Sequence, residues 1–278
     1  MERRGTARAR VVSLLASILE AKRRDVASLR RGAYGGARQP LDAFAALSRG
    51  EGEALRLVAE IKLRSPSAGP LSRALTPALR ALAYARAGAT MVSVLCDEPF
   101  FDGSWEHLEH ARAALDAERY EVAVLAKDFV IDESQIREAR HRGADAILLI
   151  ARIVPQSRLI ELASYARSER VEPFVEVVDE RELDAALLAQ ARIVGVNARD
   201  LDTLVMDAVR TKRILDRVPP GVAAVHLSGL REAADVAEIA TGRADAALIG
   251  EALMRDSDPE PRLRAMVEAA KAGANGSR

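Results

Sequence analysis

The chain carries a single cysteine, Cys96, among 278 residues. An intrachain disulfide is therefore impossible, and metal centres built on clustered thiolates are excluded. This usage suits a reducing compartment, so a cytoplasmic location is expected. Histidine is scarce as well. His107, His110, His141 and His226 form no HExxH pattern, and the His107/His110 pair falls in a helical stretch that reads as a solvated face. Neither sign of charge is in excess: Lys plus Arg and Asp plus Glu number 41 each. There is no electrostatic footprint for nucleic acid, and any anion site must be local. Four arginines precede the apolar stretch 11–19, which superficially resembles a signal peptide. It falls well short of the ~20 residues a membrane helix needs. Glu20, Lys22, Arg23, Arg24 and Asp25 follow it with no small-residue cleavage site, so neither a targeting segment nor a membrane partner is expected. No GxGxxG or GxxxxGK[ST] follows the first strand candidate.

What is present is a rhythm. Apolar content of 49% and charged content of 29% are ordinary for a globular chain. Short β-branched runs at 57–62, 90–95, 122–125, 146–150, 172–177, 192–197, 222–227 and 246–249 read as strands. Helical patterns follow them, near 76–87, 104–117, 133–142, 155–169, 180–189, 207–216, 230–241 and 258–272. Asp132, Ser104 and Asp179 are candidate N-caps, the last with Glu182 in capping-box position. The handovers Ala87-Gly-Ala-Thr90, Arg142-Gly-Ala-Asp145 and Gly242-Arg-Ala-Asp245 place a glycine where a helix ends and a strand begins. Eight βα units in about 215 residues predict α/β architecture, a single (β/α)8 TIM barrel over 57–278. An open doubly wound sheet is the alternative, weakened by the missing glycine-rich motifs. Residues 1–56 hold an amphipathic helix over about 8–30 and a short one near 41–47. They are too few for a domain, and read as a helical extension packed on the barrel, with a partner-binding helix as the other reading.

In such a barrel the active site lies at the C-terminal ends of the strands. Glu60 and Lys62, two apart on a strand, project from the same face. Alone they fit a plain ion pair as well as an acid–base pair. The other strand ends add Lys127, Glu176 and Asn197 from runs that otherwise read as buried, where unpaired charge is costly. Two lysines, two glutamates and an asparagine converging on one face point to a catalytic pocket that moves protons. Ser228-Gly229 and Gly250-Glu251 follow strands seven and eight, where such barrels bind phosphate. Ser65 reaches the same place, because strand one neighbours strand eight.

The chain resembles the indole-3-glycerol phosphate synthase family over about 8–273. The stretches that carry the resemblance are Ala59-Glu-Ile-Lys-Leu-Arg-Ser-Pro-Ser-Ala-Gly69, Val92-Ser-Val-Leu95 with Phe100-Phe-Asp-Gly-Ser104, Lys127-Asp-Phe-Val-Ile-Asp132, Gly143-Ala-Asp-Ala-Ile-Leu-Leu-Ile150, Gly195-Val-Asn-Ala-Arg-Asp-Leu201 and Leu248-Ile-Gly-Glu-Ala-Leu-Met254. The resemblance implies a (β/α)8 barrel with a helical extension over its mouth. It implies a carboxy-lyase of tryptophan biosynthesis that closes the indole ring of 1-(2-carboxyphenylamino)-1-deoxyribulose 5-phosphate with loss of CO2 and water. By that resemblance Lys127 is the general acid and Lys62 holds the substrate carboxylate. Glu176 assists dehydration, while Glu60 and Asn197 orient the lysines and the substrate hydroxyls. Phe101 packs on the anthranilate ring, and Arg199 and Ser228 also bind substrate. Ser65, Gly229, Gly250 and Glu251 hold the phosphate. No metal or organic cofactor is implied; the partner is a phosphorylated small molecule, and the chain is a monomer or a homodimer. The sequence departs from the family pattern at Leu227, where a glutamate is usual, and at Leu63, Ala68 and Ala198. The alternative is thus a divergent paralogue that acts on another sugar phosphate or only binds a phosphometabolite. His226, next to Leu227, points the other way on the strand.

Overall fold

The computed structural model describes residues 14–29, 38–66, 68–200 and 204–274. Eight parallel strands close into a barrel in chain order: β1 (Arg56–Ile61), β2 (Met91–Leu95), β3 (Ala123–Lys127), β4 (Ala146–Ile150), β5 (Glu172–Val177), β6 (Ile193–Asn197), β7 (Ala223–Leu227) and β8 (Ala246–Ile249), with β8 paired back to β1. Each run is apolar on both faces because both faces are covered. Val92, Val94, Val124, Ile147, Val175 and Val196 face the surrounding helices. Val58, Met91, Leu125, Leu148, Phe174 and Leu248 fill the lumen. The helices after the strands are Pro77–Ala87, Trp105–Ala117, Glu133–His141, Gln156–Ser168, Glu180–Leu188, Ala208–Leu215, Ala233–Ala240 and Glu260–Ala274.

The expected bounds hold to within about two residues at most ends, β3 running two residues further than expected, through Lys127, and the helix expected from 230 starting three residues later, at Ala233. Asp132, Ser104 and Asp179 all cap their helices. The box at Asp179 is displaced, however: Glu182 N–H donates to Asp179, but the Glu182 carboxylate accepts from Val178 N at 2.9 Å rather than from the cap residue. Full capping boxes form instead at Asp132/Gln135 and Glu232/Asp235.

The repeated Ala-Asp handovers have a shared function in the barrel. Asp145 Oδ2 accepts from Val124 N, and Asp245 Oδ2 accepts from Ala224 N, both at 2.8 Å. Each aspartate immediately precedes its own strand and satisfies the backbone donor of the second residue of the strand before it, at the N-terminal end of the barrel.

The extension divides between the two ends. Helix α1 (Leu14–Ser28) lies at the C-terminal mouth, where Leu15 and Ile18 join the lumen core; of the expected helix over 8–30, residues 8–13 and 30 fall outside the described residues. Helix α2 (Ala43–Leu47) lies at the opposite end. Ala43 and Leu47 are buried in the lumen core, Ser48 accepts from Arg56 at the start of β1, and Leu41 N donates to Asp145 ahead of β4. The family resemblance implies an extension over the mouth, where α1 lies; the five residues of α2 close the bottom of the barrel.

Candidate active site

A cavity of about 730 Å3 opens at the C-terminal ends of the strands. Glu60, Lys62, Ser65, Phe101, Lys127, Glu176, Asn197, Arg199, Ser228, Gly229, Gly250 and Glu251 all line it. These are the twelve residues that the sequence singles out, brought together from seven strand ends.

Alternation explains the convergence. Glu60, Lys127, Glu176, Asn197 and Leu227 occupy inward positions on β1, β3, β5, β6 and β7, above the apolar lumen. Their polar groups form a linked chain. Lys62 Nζ donates to Glu60 Oε1 at 2.6 Å. Lys127 Nζ lies 3.9 Å from Glu60 Oε2 and 3.7 Å from Glu176 Oε2. Asn197 Nδ2 donates to Glu176 Oε1 at 2.8 Å, and Arg199 N donates to Asn197 Oδ1 at 3.0 Å. That second bond fixes which way the amide faces. Glu176 Oε2 has no hydrogen-bond partner among the described residues, so one carboxylate oxygen is anchored and the other faces Lys127.

Glu60 is 3% exposed. Burial pushes its carboxyl up, but Lys62 and Lys127, with Arg199, outweigh burial and hold it below the usual carboxylate range. Glu60 is therefore an ionised carboxylate that two ammonium groups share. The end of β1 is itself pinned: the buried Tyr84 hydroxyl donates to the Glu60 carbonyl at 3.1 Å.

The opposite wall is built of turns. Ser65 belongs to a small hairpin of Arg64–Ser65 with Gly69–Pro70, and its hydroxyl accepts from Ala68 N at 3.0 Å; Ser67 lies outside the described residues. Gly250 caps the short helix Glu251–Arg255, and a Cβ at Gly250 would overlap Glu60 Oε1. Arg80, fully buried, donates to Leu253 O and Asp256 O and so seats that helix. The Glu251 carboxylate pairs with Arg255 at 2.6 Å, and both residues line the cavity. Ser228 takes a left-handed conformation, φ 71°. His226 faces away from the lumen, as the alternation predicts, and its Nε2 donates to Ser228 O at 3.0 Å. A carbonyl can only accept, so the Nε2 tautomer is assigned. Burial, opposed by that bond, lowers the His226 pKa and keeps the ring neutral.

Leu227 occupies the inward position paired with Asn197 and is 3% exposed. Its neighbour Gly195 has no room for a side chain: a Cβ there would overlap Phe174 and lie 2.7 Å from Leu227 Cδ1. Leu227 and Gly195 thus fit one another, and the inward carboxylates of this layer are Glu60 and Glu176.

Sequence reasoning missed the part of α1 in the site. Leu14, Leu15 and Ile18 line the cavity beside Phe101 and Phe129, whose ring centroids are 6.0 Å apart. Apolar spacing marks those residues as a buried face, but not as a pocket wall. The second miss is Lys22, which is 4% exposed and contacts Asp97 and Asp128.

The sequence matches the family model described as "Indole-3-glycerol phosphate synthase" over residues 10–266. It is 46% identical over 228 residues to "Indole-3-glycerol phosphate synthase 2" of Streptomyces coelicolor, covering 82% of this chain and 86% of that protein. It is 40% identical over 265 residues to "Indole-3-glycerol phosphate synthase" of Mycobacterium avium, covering 92% and 94%. Among solved structures, a 3-hexulose-6-phosphate synthase from Salmonella typhimurium superposes with a TM-score of 0.60 at 13% identity, over 78% of this chain and 98% of that one. A thiamine phosphate pyrophosphorylase from Pyrococcus furiosus gives 0.60 at 16%, over 79% and 96%. At those identities the two structures speak to the barrel fold alone.

Proposed function

The chain belongs to the indole-3-glycerol phosphate synthase family, and from that premise we propose how its residues divide the work. The family's members are carboxy-lyases of tryptophan biosynthesis that act on a phosphorylated small molecule. Relatives at 40–46% identity bearing the synthase name favour this activity over a divergent sugar-phosphate enzyme or a binding-only paralogue. The observation that carries the division of roles is the linked chain Lys62–Glu60–Lys127–Glu176–Asn197 on one cavity wall.

The ring carbon that bears the carboxylate attacks the ribulose carbonyl carbon. Lys127 protonates the carbonyl oxygen as the new carbon–carbon bond forms. Lys62 holds the substrate carboxylate next to Glu60. Breaking the bond to that carboxylate releases CO2, and the electron pair returns to the ring. The new hydroxyl then leaves as water, with a proton from the lysine pair. The free oxygen of Glu176 takes the proton from the adjacent carbon, which creates the indole double bond. Asn197 keeps that oxygen aimed, and Glu60 stands between the two lysines and orients them. Phe101, Leu14, Leu15 and Ile18 supply an apolar wall for the aromatic ring, with Arg199 and Ser228 as further substrate contacts. Ser65, Gly229, Gly250 and the Glu251 backbone hold the phosphate, supported by their position at the ends of β1, β7 and β8.

Residues 1–56 serve this barrel, 57–278, rather than forming a domain of their own; the burial of α1 and α2 side chains in the lumen core supports that. All the proposed site residues come from one chain, so a monomer and a homodimer carry the same site. A cytoplasmic place of action fits the lone, buried thiol of Cys96. No helix among the described residues is long and apolar enough to cross a membrane.

The role of Lys62 has its own test. Lys62→Met removes one charge-assisted contact, worth about 1.5–3 kcal/mol, to a group present already in the bound substrate. KM is expected to rise about tenfold or more, with kcat changed far less. Steady-state kinetics decides: an unchanged KM with a collapsed kcat would move Lys62 from binding to proton transfer.

A further inference from the structure

We propose that Lys22 is a positioning residue for the synthase reaction: one ammonium group on α1 clamps Asp97 and Asp128, and so ties docking of α1 to the placement of Phe101 and Lys127. The proposal rests on the roles given to those two residues above.

The geometry is that of a three-way junction. Lys22 Nζ lies 2.7 Å from Asp128 Oδ1 and 3.0 Å from Asp97 Oδ1, with Asp25 of its own helix at 3.7 Å. Lys22, Asp97 and Asp128 are 4%, 0% and 2% exposed. Both acids are already fixed to the barrel. Asp97 stands two residues after the end of β2, with Cys96 between; its Oδ2 accepts from Phe100 N at 3.0 Å and its carbonyl accepts from Gly103 N at 2.9 Å. It thereby caps the single turn Glu98–Phe101 that carries Phe101. A Cβ at Gly103 would overlap the Leu95 carbonyl, so this turn is packed hard against the end of β2. Asp128 directly follows Lys127; its Oδ2 accepts from Gln135 Nε2 at 2.9 Å, and that amide also donates to Phe129 O and accepts from Ile131 N.

The third element that meets here is α1. Lys22 stands four residues after Ile18 and seven after Leu15, on the face that closes the cavity. Seating the ammonium between the acids and laying Leu15 and Ile18 over the mouth are therefore one event. Burial by itself would weaken the charge on Lys22, but Asp128 and Asp97 outweigh it and raise its pKa. At Asp97 burial outweighs the pull of Lys22, and the like charge of Asp128 adds to the rise.

Stability alone does not call for such a junction. An apolar set of the same size would stabilise the contact as well, since desolvation offsets most of the attraction in a buried ion cluster. What charge adds is a fixed position: the ammonium accepts no substitute location, and both strand ends are referred to it. A displacement of about 1 Å at reacting groups costs turnover on the order of 100-fold.

The experiment compares the full-length protein with Lys22→Met, Lys22→Arg and Asp97→Asn. It measures kcat and KM on the carboxyphenylamino-deoxyribulose phosphate, and amide hydrogen exchange over 14–28. Lys22→Met is expected to exchange faster across α1 and to lose about 30-fold or more in kcat/KM. Lys22→Arg, which can still bridge two carboxylates, is expected to recover most of that loss. If α1 exchanges faster in Lys22→Met while kcat/KM stays within threefold of the parent, the junction is merely structural and the proposal is overturned. If Lys22→Met does not fold, Asp97→Asn decides, because it keeps the cap on Phe100 N and removes one charge: a loss above threefold supports the proposal, and a smaller one overturns it. A parent protein without turnover would instead overturn the functional reading beneath it.

Discussion

Replacing Lys127 by methionine leaves a folded barrel that turns over about a thousandfold more slowly. The fold persists because the stem of Lys127 is replaced by a side chain of similar length, and the neighbours stay satisfied. Glu60 keeps its contact with Lys62 at 2.6 Å, and Glu176 keeps its bond from Asn197 at 2.8 Å. What disappears is the one ammonium group among the described residues within 4 Å of both Glu60 and Glu176. A general acid acts on charge that develops only as the carbonyl is attacked, so its loss lowers kcat and leaves KM nearly unchanged. Initial rates at saturating substrate, with circular dichroism as the check on folding, give the result. A variant that keeps more than a tenth of the parent kcat would remove Lys127 from that role.

Glu176→Gln has the second largest expected effect, about 100-fold or more in the rate of indole formation. Glutamine keeps the shape and can still accept from Asn197, so the buried pair is not broken. It cannot take a proton through the position of Oε2, the oxygen that has no hydrogen-bond partner among the described residues. Ring closure and loss of CO2 precede this step and do not need it. The variant should therefore release about one CO2 per site in a fast burst, followed by slow growth of indole fluorescence. Rapid-quench measurement of CO2 beside stopped-flow fluorescence separates the phases. If CO2 and fluorescence slow together with no burst, Glu176 acts before decarboxylation and the assignment to dehydration is wrong.

These residues were legible because strand parity is simple. Glu60 and Lys62 had to share a face, and polar residues closing apolar runs at Lys127, Glu176 and Asn197 had to meet at one end of a parallel barrel. The same reading expects β3 to end at Leu125, two residues short of the lysine that closes its apolar run; yet Lys127 still pairs in register with Leu95. Other features had no local signature. Lys22 lies among Lys22, Arg23 and Arg24 on an amphipathic helix and reads as solvated. Only tertiary packing brings two buried aspartates to it. Helix α2 spans five residues, too few for a periodicity to show that Ala43 and Leu47 seal the barrel bottom. At Asp179 the cap was legible, but Glu182 reaches one residue further back because Arg152 draws its other oxygen at 2.8 Å. The leucine at position 227 was conspicuous as a departure; its fit against Gly195 depends on two neighbouring strands and could not be read from either one.

The central claim is that this pocket closes an indole ring, with Leu227 where a glutamate is usual. Its most direct test is to mix purified full-length protein with 1-(2-carboxyphenylamino)-1-deoxyribulose 5-phosphate and follow CO2 and indole fluorescence together. The account predicts that the two rise in a one-to-one ratio over many turnovers. A folded protein that binds the substrate yet yields neither product at high enzyme concentration would contradict it.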